Sequence, residues 1–247
     1  MLLGTVDSTS DELRRRLRRG DPAGTVVIAE EQTSGRGRLG RSWYSPRGEG
    51  LYVSASFRSD RPPRELPRWA LAAAAAACLA CRGVGGASYT VEWPNDVVHK
   101  GRKVAGTLVE TRVTGEEVED LIVGTGVNVN QEAGAFAPGL ADRATSLRAE
   151  LGGPIVDREQ VAAVFLDRLD ELSAALERGE WEPVLSLWLT LAPDAVGRRV
   201  RVLPEGGAPE YDGVTRGLDA CGALVVEDFS GRLRPVLMAD AVRYGEV

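Results

Sequence analysis

The sequence contains little histidine and cysteine, and it lacks a long apolar run. His99 is the only histidine, which excludes zinc sites built from several histidines and leaves a Ser-His-Asp triad one candidate base. The three cysteines would leave one unpaired, so they predict no disulfide framework and favour a reducing, cytoplasmic location. The longest apolar run, Trp69 to Cys81, is shorter than the roughly 20 residues that a membrane helix needs. We therefore expect no membrane segment, and the N-terminus does not resemble a secretory signal.

Lysine is nearly absent too. Only Lys100 and Lys103 are lysines among the 30 basic residues, so chemistry that needs an ammonium group has two candidates. The formal net charge of −6 argues against a surface that binds nucleic acid over its whole extent. At about 100–200 residues per domain, the length predicts one large domain, or a medium domain with a small appendix.

We expect an α+β fold, with a mixed β-sheet core and flanking helices. Thr9 and Glu12 have the spacing of a capping box, which predicts a helix that begins there and ends at Gly20. Strands are predicted at residues 24–30, 51–57, 90–93, 97–98, 103–111 and 121–129, and further helices at 66–82, 158–178 and 181–191. After Pro193, short β runs between glycine clusters predict a small barrel of SH3 size. The predicted domains are residues 1–193 and 194–247.

Residues 31–41 form a segment rich in glycine and arginine. Residues 35–40 match GxGxxG formally, but a dinucleotide-binding fingerprint needs a helix directly afterwards, and Pro46, Gly48 and Gly50 forbid one. The segment is instead a flexible loop that carries Arg36, Arg38, Arg41 and Arg47. Guanidinium forks and the backbone N–H groups of glycines suit a phosphate or a carboxylate. The alternative is a solvated basic loop.

Two further segments carry polar residues at strand ends. Asn95 and Asp96 follow Trp93-Pro94 and form either a simple Asx turn or a carboxamide and a carboxylate at the rim of a cleft. Lys103 opens an otherwise apolar strand, where alternation places it on the same face as Ala105 and Thr107. The alternative for Lys103 is an exposed hairpin end.

Glycines inside predicted strands indicate that another group approaches the bare backbone closely. Gly106 is one of them, and residues 123–130 (VGTGVNVN) contain two more. In the same segment, Asn128 is either a ligand or a buried partner within the sheet. Cys78 and Cys81 are interpreted as small core residues, and His99 is expected to be exposed in a turn.

Together and in this order, these segments resemble those of the biotin–protein ligases, whose catalytic core is similar to that of class II aminoacyl-tRNA synthetases. The resemblance covers nearly the whole chain. Its motifs are Asp7-Ser8-Thr9, Gln32-x-x-Gly35-Arg36-Gly37-Arg38, Trp93-Pro94-Asn95-Asp96, Lys103-x-x-Gly106, Gly126-x-Asn128 and the C-terminal β module. It implies ATP-dependent activation of biotin to biotinyl-5′-AMP, followed by transfer to a lysine of a biotin carboxyl carrier domain.

The resemblance also implies roles for individual residues. Lys103 and Arg38 would be catalytic, and Ser10 stands where the family commonly has Asn. The biotin-binding residues would be Ser8, Thr9, Ser10, Gln32, Arg36, Gly37, Arg38, Lys103 and Gly106. The adenylate-binding residues would be Arg36, Arg38, Arg41, Trp43, Asn95 and Asn128. No direct metal ligand set is implied, and Mg²⁺ would accompany ATP near Asp96.

Some relatives in this family carry an N-terminal winged-helix domain and act as repressors. Here the Ser8-Thr9 motif lies almost at the N-terminus, so we expect a ligase without repressor function or DNA binding. A homodimer is left open. One alternative is a lipoate or octanoate transferase, although the Arg-rich SGGG-type motif and the His-containing strand of those families are missing. The other is a nucleotide-binding module without catalytic activity.

Overall fold

A computed structural model describes residues 1–86, 88–115, 117–204, 208–237 and 239–245. It contains a seven-stranded mixed sheet, five α-helices and a five-stranded antiparallel sheet within these residues. The predicted α+β class, with a mixed sheet as its core, is confirmed.

The large sheet brings together strands that are far apart in sequence. Its strands are β1 (Leu2–Val6), β2 (Val26–Gln32), β3 (Gly50–Phe57), β4 (Thr90–Glu92), β5 (Asp96–His99), β6 (Arg102–Thr114) and β7 (Glu117–Asn128). The order is β1-β2-β3-β7-β6-β5-β4, in which β1 and β2 are parallel and the other neighbours antiparallel. The long hairpin of β6 and β7 therefore lies near the middle of the sheet.

The helices are α1 (Thr9–Arg18), α2 (Pro67–Gly85), α3 (Leu147–Glu150), α4 (Arg158–Glu177) and α5 (Trp181–Leu191). Helix α2 is buried along its alanine run, residues 72–77, whose small side chains let it approach the sheet and α4. The prediction that this helix ends at residue 82 is wrong. It continues to Gly85 and ends at Gly86, whose positive φ of 84° is a conformation that glycine adopts without steric strain.

The capping box predicted at the start of α1 is also wrong. Ser8 occupies the capping position and its side chain makes no capping hydrogen bond. Thr9 instead turns toward the sheet, where its backbone N–H and its hydroxyl both donate to Oε1 of Gln32, at 2.8 and 3.1 Å. The polar side chains at this helix start are thereby free to shape a site rather than to cap the helix.

The prediction for His99 is wrong as well. Its side chain is only 9% exposed, its ring packs against Tyr89 with centroids 4.9 Å apart, and Nε2 lies 3.1 Å from Oε2 of Glu150. The turn beyond it, Lys100-Gly101, is exposed, and Lys100 has a positive φ of 50°. Because Glu150 follows far along the chain, local sequence gave no sign of this burial.

The β-strands predicted after Pro193 are confirmed. They are β8 (Val196–Pro204), β9 (Tyr211–Leu218), β10 (Leu224–Asp228), β11 (Leu233–Val236) and β12 (Ala239–Tyr244), in the order β11-β10-β9-β8-β12. All neighbours in this second sheet are antiparallel.

The turn between β9 and β10 docks the second sheet onto the first. Nε1 of Trp93 donates to the carbonyl oxygen of Gly222 at 3.0 Å, and the Arg68 guanidinium donates to that of Ala220. Leu71, Trp93 and Leu224 belong to the same buried cluster, so the two sheets share one hydrophobic core. Trp93 lies two residues before Asn95, so the turn between β9 and β10 packs close to the Asn95-Asp96 segment.

Cys78 and Cys81 are buried in α2, as predicted, and all three cysteines are free thiols. Burial raises the pKa of the Cys78 thiol to about 11, which makes it inert near neutral pH. No helix among the described residues has the length and apolar character needed to cross a membrane.

Replacing Gly222 by alanine tests the docking of the turn. Gly222 and Gly231 have similar positive φ values, 86° and 83°, but a Cβ at Gly222 would lie 2.7 Å from Cδ1 of Leu71, whereas at Gly231 it would meet open space. We expect Gly231→Ala to lower the free energy of unfolding by about 1 kcal/mol through backbone strain, and Gly222→Ala by about 1 kcal/mol more through overpacking. Denaturant unfolding of both variants measures the difference, and equal losses would contradict close packing at Leu71.

Candidate active site

The floor of the candidate site is bare backbone on β6 and β7. Gly106 and Gly126 are direct partners in the sheet. A Cβ at Gly126 would lie 2.3 Å from Nε1 of Trp43, and one at Gly106 would lie 3.2 Å from Cζ3 of the same ring. The indole of Trp43 therefore rests on the two glycines, which confirms the predicted close approach to these strands.

A row of buried hydroxyl groups forms one end of the site. Ser8, Thr9 and Ser10 are each at most 5% exposed, and the hydroxyls of Thr9 and Ser10 lie 2.8 and 3.0 Å from Oγ of Ser54 on β3. A Cβ at Gly124 would lie 2.9 Å from Oγ of Ser10, so this row also reaches the glycine floor. The predicted Ser8-Thr9-Ser10 group is thus assembled over the sheet.

Gln32 completes this polar end. Its Oε1 accepts from Thr9, and its Nε2 donates to Oγ of Ser45 at 2.9 Å. Neither Ser45 nor Ser54 was predicted from the sequence. The sequence feature that could have indicated Ser54 is its position in β3, where Ser54 and Ser56 are two hydroxyl residues at alternate positions of an otherwise apolar strand.

Lys103 lies at the other end of the floor, on a different face from the one predicted. Its side chain covers Gly106, where a Cβ would lie 2.8 Å from Cε of Lys103, while Thr107 points to the carbonyl of Ala70 in α2. The reason is a bulge between β5 and β6: Val97 pairs with Ala105 but Val98 pairs with Lys103, so one residue of β6 is left out of the alternation.

The Lys103 ammonium is held between a carboxylate and an aromatic ring. Nζ lies 2.6 Å from Oδ1 of Asp96 and 5.3 Å from the centre of the Trp43 ring. The side chain is one-third exposed, so the ammonium remains reachable from the cleft. The hairpin-end alternative described the position of Lys103 correctly, but its side chain turns inward.

The chain after β7 returns to fix the backbone of Lys103. The Lys103 N–H donates to the carbonyl of Arg143 at 2.8 Å, and the N–H of Thr145 donates to the carbonyl of Lys103 at 2.9 Å. The carbonyl of Thr145 accepts from Nδ2 of Asn128 at 3.0 Å. Asn128, which is buried, is thereby linked to Lys103 through one residue that the sequence analysis did not single out.

The four arginines of the loop do not converge on one point. Nη1 of Arg38 lies 3.4 Å from Oδ1 of Asn95, whose Nδ2 donates to the carbonyl of Thr107.

Arg36 binds the carboxylates of Asp11 and Glu110, and the hydrogen bond with Asp11 is the main cause that raises the pKa of Arg36. Arg47 lies near Thr5 and Glu31, and Arg41 is exposed on the loop.

The loop itself is a small folded hairpin. Arg36 pairs with Ser42, the N–H of Gly37 donates to the carbonyl of Arg41 at 2.7 Å, and the N–H of Trp43 donates to that of Gly35 at 2.9 Å. Gly35 is required by space, because a Cβ there would lie 2.6 Å from the carbonyl oxygen of Trp43. These bonds place Trp43 over the glycine floor and Arg38 beside Asn95.

The groove thus has two chemically different ends. Hydroxyl and amide groups at one end can bind a neutral polar group, and Lys103 with Arg38 at the other can bind an anion. Between them, the glycine backbone of β6 and β7 lets the Trp43 ring and the Lys103 side chain lie close against the sheet. A ligand with one neutral polar end and one anionic end would match both ends.

Comparison with known proteins agrees with this geometry. The family model for the biotin/lipoate A/B protein ligase family matches residues 3–128. A biotin–[acetyl-CoA-carboxylase] ligase of Paracoccus denitrificans is 33% identical over 99% of this chain and 100% of its own length. The bifunctional ligase/repressor BirA of Escherichia coli is 34% identical over 95% of this chain and 71% of its own length.

Solved structures give the same result. The biotin protein ligase of Aquifex aeolicus in complex with biotin and ATP superposes with a TM-score of 0.81, at 30% identity, covering 99% of this chain and 98% of that one. The biotin protein ligase of Leishmania major in complex with biotinyl-5-AMP reaches 0.64 at 26% identity, covering 95% and 97%. The chain belongs to the biotin/lipoate A/B protein ligase family.

Glu92 is a partly buried carboxyl near Asp96. It pairs with Asp96 across β4 and β5, and burial, followed by the charges of Asp96 and Asp194, raises its pKa to about 7. A carboxyl with a raised pKa stabilises the fold most at low pH, and that contribution is lost as the pH rises through the pKa of the folded state.

Neutralising Glu92 should therefore flatten the dependence of stability on pH. Between pH 5 and 8 we expect the free energy of unfolding of the wild type to fall by on the order of 1–3 kcal/mol relative to Glu92→Gln. Urea unfolding at several pH values measures both slopes, with Glu182→Gln, an exposed position on α5, as the control. Parallel curves for wild type and Glu92→Gln would show that Glu92 ionises normally in the folded protein.

Proposed function

We propose that this protein is a biotin–protein ligase that activates biotin with ATP to biotinyl-5′-AMP and then biotinylates a lysine of a biotin carboxyl carrier domain. The observation that carries the proposal is the single groove in which the hydroxyl end and the Lys103 end share the glycine floor of β6 and β7. The full-length similarity to ligases, including one with biotin and ATP bound, supports it.

Biotin lies along this groove. Its ureido ring meets the hydroxyls of Ser8, Thr9 and Ser10 and the amide of Gln32, which hydrogen bonds already orient. Its valeryl chain runs toward Gly106 beside the Trp43 ring that covers it, and its carboxylate reaches Lys103. Because Ser10 bonds to Ser54 and contacts the floor at Gly124, its short hydroxyl replaces the longer Asn of other family members.

The nucleotide lies at the Lys103 end. Arg38, Gly37 and Arg41 carry the loop over the phosphate, and Trp43 packs against the ligand. Asn95, in the turn between β4 and β5, and Asn128, at the end of β7, border the adenylate.

The reaction needs no enzyme nucleophile. A carboxylate oxygen of biotin attacks the α-phosphorus of ATP, and pyrophosphate leaves with the electrons of the broken P–O bond. The amine of the carrier lysine, in its neutral form, then attacks the biotinyl carbonyl; it loses a proton and AMP leaves with its oxygen. Lys103 and Arg38 lower the repulsion between the two anions and stabilise the charge that develops at phosphorus.

Mg²⁺ enters this proposal as the counter-ion of the ATP phosphates. The described residues contain no cluster of three or more His, Cys, Asp or Glu side chains that could hold a metal ion. Asp96, the carboxylate expected nearby, is paired with Lys103. A metal ion held by protein side chains alone does not fit this arrangement.

Residues 1–193 form the catalytic domain, similar to the core of class II aminoacyl-tRNA synthetases, and residues 194–247 form an SH3-like domain. The partner is a biotin carboxyl carrier protein or domain, and the location is cytoplasmic. A homodimer and the expected lack of DNA binding remain predictions.

Exchange of label between pyrophosphate and ATP distinguishes the candidate functions. We expect exchange with biotin and none with lipoate or without an acid, because the hydroxyl end suits the ureido ring and not an apolar dithiolane. Exchange only with lipoate would assign a lipoate ligase. ATP binding without exchange for either acid would assign a nucleotide-binding module.

The two lysines provide a matched test of the chemistry. Lys103→Ala removes the ammonium beside Trp43 and should lower the rate of adenylate formation by about 10²–10³-fold. Lys100→Ala removes an exposed ammonium from the adjoining turn and should leave the rate within about twofold. Single-turnover formation of biotinyl-5′-AMP, with circular dichroism to check folding, measures both; similar rates for the two variants would exclude Lys103 from the mechanism.

A further inference from the structure

Arg36 belongs to a closed ring of four charged side chains, which we call the anchor ring: Arg36, Asp11, Arg14 and Glu110. Nη1 of Arg36 donates to Oδ2 of Asp11, and its Nη2 donates to both oxygens of Glu110, at 3.0 and 3.1 Å. Arg14 closes the ring, since Nη1 lies 2.8 Å from Oδ1 of Asp11 and Nη2 lies 3.4 Å from Oε1 of Glu110. Positive and negative charges alternate around it.

The anchor ring joins three separate parts of the molecule. Asp11 and Arg14 lie on α1, Glu110 lies on β6, and Arg36 lies on the arginine loop, residues 33–47. Inside the loop, Arg36 pairs with Ser42 in the hairpin that carries Trp43. Fixing the guanidinium of Arg36 therefore fixes one strand of this hairpin against both α1 and the central sheet.

The carboxylates of Asp11 and Glu110 lie beside a loop that is proposed to bind an anion, which they would repel. Their side chains are one-quarter exposed, so their charges are only partly screened. By charge alone they weaken the binding of an adenylate, and they occupy a guanidinium that could otherwise bind it. Their benefit must therefore come from what they do to the loop.

We propose that Asp11 and Glu110 are positioning residues that hold Arg36, and with it the arginine loop, closed over bound biotinyl-adenylate. The inference rests on the proposed function. It assigns the Arg36 side chain to anchoring the loop, whereas the resemblance assigns Arg36 to the ligand.

The two explanations predict effects of opposite sign. If Arg36 acts by contact with the ligand, neutralising Asp11 and Glu110 releases it and removes two repelling charges, so the adenylate should dissociate more slowly. If the ring anchors the loop, the same change loosens the loop and the adenylate should dissociate faster.

The experiment compares Asp11→Asn, Glu110→Gln and the double variant with wild type. Biotinyl-5′-AMP is formed on the full chain, and its dissociation is followed after addition of excess unlabelled biotin and ATP. We expect each single variant to release it about fivefold faster, the size of an ion pair of this exposure. The double variant should be less than additive, since both residues act through Arg36. Unchanged or slower release would overturn the proposal.

Glu227→Gln is the matched control. It removes an ion pair of comparable exposure, Arg216 with Glu227 at 2.6 Å, which joins two strands of the C-terminal sheet far from the loop in sequence. We expect wild-type release from this variant. Release as fast as in Asp11→Asn would attribute the effect to a general loss of stability and overturn the proposal.

Hydrogen exchange of the ligand-free protein tests the anchor without relying on the activity. Amides of residues 35–43 should exchange about fivefold faster in Asp11→Asn and Glu110→Gln than in wild type and Glu227→Gln. Faster exchange in a protein that forms no adenylate would support the anchor and contradict the proposed function. Unchanged exchange in an active ligase would contradict the anchor alone.

Discussion

The pairing of Gly106 with Gly126 is the constraint on which the site depends. With no side chain at either position, the backbone of β6 and β7 can be covered directly by the Trp43 indole and by the Lys103 side chain. Any larger residue would lift both groups from the sheet. The distance between the hydroxyl end and the ammonium end is then set by the sheet itself, which is the most rigid element available.

The charges around this floor are largely balanced by the protein. Lys103 is paired with Asp96, and Arg36 with Asp11 and Glu110. A cluster of arginines in a ligand-free site would otherwise favour an open loop through mutual repulsion. The ion pairs offset this repulsion and favour a folded loop.

Sequence patterns predicted much of this arrangement and missed specific parts for physical reasons. The order of elements, the buried cysteines and the glycine floor followed from local signals. The face of Lys103 did not, because a one-residue bulge opposite Val97 and Val98 breaks the alternation on which the prediction depended. His99 was misplaced because its partner Glu150 lies about fifty positions away. The roles of Asp11 and Glu110 were likewise invisible, since only the fold brings them to Arg36.

The two sheets share one hydrophobic core, so residues far apart in sequence support the same site. Trp93, next to the segment that carries Asn95 and Asp96, is hydrogen-bonded to a turn more than a hundred residues later. The turn between β9 and β10 therefore supports the segment that carries Asn95 and Asp96, although no side chain of that turn is proposed to contact the substrates. Substitutions in that turn can therefore change the activity, although the sequence alone shows no link between the turn and the site.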